Sequence, residues 1–164
     1  MNAVQSEDES VLLNGYITSV KVLKIENGVE TTVGPSGLKE GDNVKVDIKY
    51  GIENGLPNGK NTLVYQLPQN IKLSKEQSGP VMQGGTDVGK YYITTDGKIT
   101  IVIDKNKFDD GEAFSYLLYS IRCKLGIIDK IDRENVLDYG IIGNKRVLKM
   151  QYVLIEDIAS KKEN

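Results

Sequence analysis

The chain reads as all-β, an antiparallel β-sandwich, on three observations. Apolar and polar residues alternate over short runs, clusters of Gly, Asn, Asp and Pro interrupt these runs roughly every 8–15 residues, and helix-period patterning is almost absent. About seven to nine short strands follow, which is the make-up of an immunoglobulin-like sandwich. The 164 residues suit one domain. They divide into a flexible lead over 1–12, the sandwich over 13–158, and a linker to a following domain over 159–164.

"YITSVKVLKIENGVETTV" (16–33) opens the domain, with Ile17, Val20, Val22 and Ile25 apolar and a turn at Glu26-Asn27-Gly28. "GPSGLKEGD" (34–42) is a loop. "NVKVDIKYGI" (43–52) alternates strictly: Val44, Val46, Ile48 and Tyr50 face in, and Lys45, Asp47 and Lys49 face out. "ENGLPNGKN" (53–61) is a loop, and "TLVYQLPQNIKL" (62–73) is a strand that breaks at Pro68, which cannot donate to a ladder. "SKEQSGPVMQGGTD" (74–87) reads as a loop with a short extended piece at Val81-Met82.

"VGKYYITTDGKITIVIDK" (88–105) is a hairpin around Asp96-Gly97. A two-residue loop would pair Tyr92 with Ile101. A three-residue loop with a glycine bulge pairs Ile93 with Ile99 and Tyr91 with Ile101, and collects Tyr91, Ile93, Ile99, Ile101 and Ile103 on one face. A slip of one residue flips every side chain, so the register with the cleaner apolar face is expected. "KNKFDDGEA" (105–113) is a turn, and "FSYLLYSIRCKL" (114–125) a strand with Leu117, Tyr119, Ile121, Cys123 and Leu125 on one side. "IIDKIDRENVLDYG" (127–140) is ambiguous, with room for a helical turn, and "NKRVLKMQYVLIED" (144–157) reads as the final strand.

Lys and Arg number 21 against 23 Asp and Glu, a net charge of −2. That balance argues against a dedicated nucleic-acid binder, which needs a basic surface to neutralise phosphates. No apolar run approaches the length of a membrane span, so membrane insertion of this domain is not expected. "MNAVQSEDES" is acidic and polar, unlike a signal peptide. The single cysteine, Cys123, has no internal partner and sits in a strand-like run, where a buried, inert thiol is expected.

Catalytic chemistry is hard to find. Without histidine there is no Ser-His-Asp or Cys-His couple and no imidazole metal ligand. "GLPNGKN" has the wrong spacing for a phosphate loop. Asp104, Asp109, Asp110 and Glu112 form an acidic cluster that a Ca²⁺ ion would suit, but Asp109 stands where the EF-hand pattern needs Gly, and a solvated turn is the plainer reading. No cofactor is implied. For a binding surface, Tyr offers large contact area at low entropic cost, and Tyr65, Tyr92, Tyr116 and Tyr119 are the candidates, with Tyr91 beside them.

The order of "YITSVKVLKIENG", "LKEGDNVKVDIKYGI", "LVYQLPQNIKL", "SGPVMQGGTDVGKYYITTDGKITIVID" and "DDGEAFSYLLYSIRCKL" resembles the N-terminal adhesion domains of Gram-positive cell-wall-anchored surface proteins, the collagen-adhesin-like (MSCRAMM) and isopeptide-forming, pilin-related group. The resemblance spans roughly residues 16 to 140, and its most specific block is 65–101. It implies an exported module of a longer wall-anchored chain, with a host matrix protein such as collagen or fibrinogen as partner and adjacent domains completing the site. It also implies a Lys–Asn crosslink, for which Lys21, Lys45 or Lys49 and Asn144 are the candidates. That chemistry needs a desolvated amine, and none of these lysines stands on an apolar face. The expectation is therefore a non-enzymatic adhesin module, with a ligand-free structural spacer as the alternative and an accessory enzyme as a third reading.

Overall fold

Asn27 and Gly28 both hold positive φ, 53° and 78°, and make the two-residue turn from β2 (Ile17–Glu26) to β3 (Val29–Thr32). A computed structural model of the chain describes residues 10–32, 38–67, 72–107, 120–131, 150–151 and 154–159. The remaining strands are β1 (Ser10–Leu12), β4 (Asn43–Ile52), β5 (Thr62–Gln66), β6 (Gln77–Gln83), β7 (Thr86–Ile93), β8 (Lys98–Ile103) and β9 (Ile121–Lys130). They form a five-stranded sheet, β1-β5-β8-β7-β6, and a four-stranded sheet, β3-β2-β4-β9. Every pairing is antiparallel except β1 with β5. The expected antiparallel β-sandwich is the fold.

Alternation builds the core. Val44, Val46, Ile48, Tyr50 and Ile52 of β4 and Ile121, Cys123, Leu125 and Ile127 of β9 are buried. So are Leu63 and Tyr65 of β5 and Ile99, Ile101 and Ile103 of β8. Each such aliphatic side chain contributes about 1.5–3 kcal/mol on burial. The β7–β8 hairpin takes the bulged register, with Tyr91 opposite Ile101 and Ile93 opposite Ile99. Gly97 sits at φ 89°, its N–H donates to the Thr94 carbonyl at 3.0 Å, and the Thr94 N–H donates to the Lys98 carbonyl at 3.0 Å. In β2, Ile17 and Val20 are three residues apart, which strict alternation puts on opposite faces. A bulge between Ile17 and Ser19 turns both toward the core side, opposite Tyr50 and Ile48.

Several expectations are corrected. Ser10–Leu12, expected within a flexible lead, is a strand held by β5. The expected loop 74–87 contains strand β6, joined to β7 by Gly84-Gly85. Pro80 and the bulge between Val81 and Met82 broke its alternation, and both are tolerated because β6 is an edge strand. The strand expected at 114–125 runs instead from Ile121 to Lys130, through Gly126, while 114–119 lies outside the described residues. In place of a final strand over 144–157, residues 150–151 and 154–159 are helical. Met150 and Leu154 are fully buried and Ile158 packs beside them, a helical spacing that seats this segment on the core. Asp47, expected in solvent, is on the outer face but only 6% exposed. Its cross-strand neighbours are Lys21 and Gly126, and the Lys45 stem lies over Gly126, where an added Cβ would come within 2.8 Å of it.

The two sheets meet along one seam. The Gln77 side chain of β6 donates from Nε2 to the Ile128 carbonyl and accepts the Ile128 N–H at Oε1, both at 2.8 Å. Gln83 accepts the Arg122 N–H at 2.8 Å. Two glutamines thus occupy backbone positions on the open edge of β9 that another strand would otherwise take.

Candidate functional site

The outer face of the five-stranded sheet carries a broad concavity. Register sets its rows. One runs Ser10, Thr62, Val102, Lys90 and Pro80, and the next runs Leu12, Val64, Thr100, Tyr92 and Ser78. Small and β-branched side chains at Thr62, Val64, Thr100 and Val102 form a low floor. Leu12 at 64% exposure stands on one side and Tyr92 at 44% on the other. The groove between them encloses about 1130 Å³.

Its charge is mostly positive. Lys90, Lys98 and Lys107 line it, with Asp104 as the acidic side chain among the described lining residues. Lys107 pairs with Asp87 at 3.5 Å. The Lys90 ammonium lies 5.2 Å from the centre of the Tyr92 ring, a cation–π contact on the groove rim. Asp104 accepts the Asn106 N–H at 3.0 Å, so its carboxylate closes a turn. An apolar floor with a cationic, aromatic rim can grip a polypeptide; the described lining contains no couple of nucleophile and base.

No family model, no curated protein and no solved structure matches this chain. The groove must be read from its own chemistry.

Of the tyrosine candidates, Tyr92 is on the groove rim. Tyr65 points inward at 8% exposure, and its hydroxyl donates to the Asp157 carboxylate of the C-terminal helical segment. Burial, then Asp157, raises its pKa above the usual phenol value, so it is a structural tie and not an exposed contact. Tyr116 and Tyr119 lie outside the described residues, as do Asn144, Asp109, Asp110 and Glu112. Lys21 and Lys49 are exposed, and Lys45 is half-buried in an ion pair with Glu30 at 2.5 Å. None of the three lysines is in the desolvated setting that an isopeptide bond needs. No group of three or more metal-ligating side chains occurs among the described residues, and no described helix is long and apolar enough to cross a membrane.

The sequence reading missed Leu12, Val64, Val102 and Lys90. Their signal was present in part, because the alternation that buried Ile99 and Ile101 already turned Lys98 and Thr100 outward. What joined them was pairing between strands far apart in the chain.

Cys123 is buried opposite Tyr50. Burial raises its thiol pKa, and the Tyr50 side chain opposes this more weakly. Native protein is therefore expected to resist a colourimetric disulfide reagent at neutral pH and to react fully once denatured. Rapid stoichiometric labelling of native protein would show that the β4–β9 pair opens readily.

Proposed function

We propose that this chain is a non-enzymatic binding module, a cell-surface adhesin domain that seats an extended segment of a host matrix protein, such as collagen or fibrinogen, along the outer face of its five-stranded sheet. The observation that carries the reading is the groove itself: a low β-branched floor built by β5 and β8 between Leu12 on β1 and Tyr92 on β7. A rigid sheet costs little entropy to present, and an exposed Tyr in contact with Lys90 is the type of residue on which binding energy concentrates. The resemblance to wall-anchored adhesion domains supports export and attachment to the bacterial wall, with a neighbouring domain closing over the ligand.

The test is titration over immobilised collagen, fibrinogen, fibronectin and mucin. Saturable binding to a matrix protein is expected. Tyr92→Ser combined with Lys90→Glu should weaken it by roughly tenfold or more, the cost of losing one anchoring side chain. Binding that ignores this double substitution would place the site elsewhere. No binding to any of the four would favour a spacer role.

A further inference from the structure

A second surface, on the opposite side of the molecule, has a different chemistry. On the outer face of the four-stranded sheet, register places Lys49 of β4 directly opposite Lys124 of β9. The Arg122 and Ile128 N–H groups point away from β4, toward Gln83 and Gln77. Lys124 has the same parity, so Lys49–Lys124 is a non-hydrogen-bonded pair, the closer of the two antiparallel types. Like charges directly opposite one another destabilise a sheet.

The acid on the same face of β4, Asp47, lies two residues from Lys49, opposite Lys21, and is only 6% exposed. Both lysines are exposed, and neither makes an ion pair with a described residue. Arg122 lies one row beyond, opposite Gly51, and Lys21 one row before, opposite Asp47. Gly51 leaves a dent of about 800 Å³ beside Lys49, Lys124 and Arg122. The other acids near this face are Glu30, which pairs with Lys45, and Glu53, which lines the dent and lies 4.0 Å from Arg122. A chain with a net charge of −2 thus concentrates cations on one sheet face.

We propose that this face binds a sulfated polysaccharide, whose repeated sulfates run along β9 and neutralise Lys49, Lys124, Arg122 and Lys21 together. Tyr16 is half-buried and Tyr50 points into the core. With no exposed aromatic among its described residues, the face offers no platform for stacking bases, which disfavours single-stranded nucleic acid. The repulsion between Lys49 and Lys124 is a stability cost that a polyanion offsets. This inference is independent of the groove and of its proposed ligand.

The test uses heparin as probe, with desulfated heparin and a single-stranded oligonucleotide as comparisons. Saturable heparin binding is expected, weakening by roughly 30- to 100-fold between about 50 and 200 mM salt, as release of three or four counterions requires. Lys49→Glu should reduce heparin affinity by about tenfold or more, and at the same time raise the melting temperature, because it turns the repulsive pair into an attractive one. Lys90→Glu, in the groove, should leave heparin binding nearly unchanged. Absence of heparin binding at low salt would overturn the proposal. So would unchanged affinity in Lys49→Glu, equal binding of desulfated heparin, or an oligonucleotide that binds as tightly as heparin. The groove proposal is read on matrix proteins with other variants, so either can fail alone.

Discussion

Gly89→Ala is expected to be among the most damaging single substitutions in this domain. Gly89 pairs with Ile103 across β7 and β8, and an added Cβ would lie 2.2 Å from the Val102 carbonyl oxygen and 3.1 Å from the Ile103 Cα. Both atoms are backbone, so no side chain can swing aside. The glycine is needed for closeness, not for handedness, since its φ is not positive. Relief requires β7 and β8 to separate in the middle of the five-stranded sheet. The loss should reach the upper end of the range for overpacking, about 3 kcal/mol. In urea unfolding it should appear as a lower midpoint with little change in slope. Gly85→Ala is the control, because an added Cβ there meets nothing within 4 Å. A Gly89→Ala midpoint equal to that of Gly85→Ala would refute the steric account. The groove should suffer too, since the next pair along, Lys90 and Val102, lies in its first row.

Gln77→Leu is the second large effect. It shortens the side chain by one atom and removes both hydrogen bonds to Ile128. The Ile128 N–H and carbonyl then lose their partners at a half-buried seam, a cost of about 1–3 kcal/mol. The local signature is more telling than the global one. The Ile128 amide should exchange hydrogen much faster than its neighbours on the β4 side of β9, because its only bond crosses to Gln77. Exchange at Ile128 that matches the parent would mean that the glutamine bonds contribute little. Gln83→Leu should give a smaller effect, since among the described residues Gln83 holds the Arg122 N–H alone.

The clearest local signals in the sequence were also the most accurate. Asp96-Gly97 sits between alternating runs and Gly97 takes positive φ, so the bulged register of β7–β8 followed without tertiary knowledge, and Glu26-Asn27-Gly28 was legible as a turn. β4 could be read for the same reason: one face is buried, and a slip would expose every apolar residue on it. The C-terminal segment failed because "VLKMQYVLIED" satisfies two periods. Leu148, Met150, Tyr152 and Leu154 alternate as a strand would, while Met150, Leu154 and Ile158 recur as a helix would. Packing against the core chose the helical set. β6 failed because its glycine, its proline and its bulge are marks of a loop unless an edge position is known.

Sequence alone determined the strand-rich class, the register of the β7–β8 hairpin and the outward set of lysines on β4. Each of these depends on neighbours a few residues away, or on the side-chain period of two. Only the tertiary structure decided which strands adjoin. That choice placed Leu12 and Tyr92 on opposite sides of one groove, set Lys49 against Lys124, and laid Gln77 along the edge of β9. These contacts join residues dozens of positions apart, and no local pattern encodes a pairing between strands that the chain brings together only when the two sheets close.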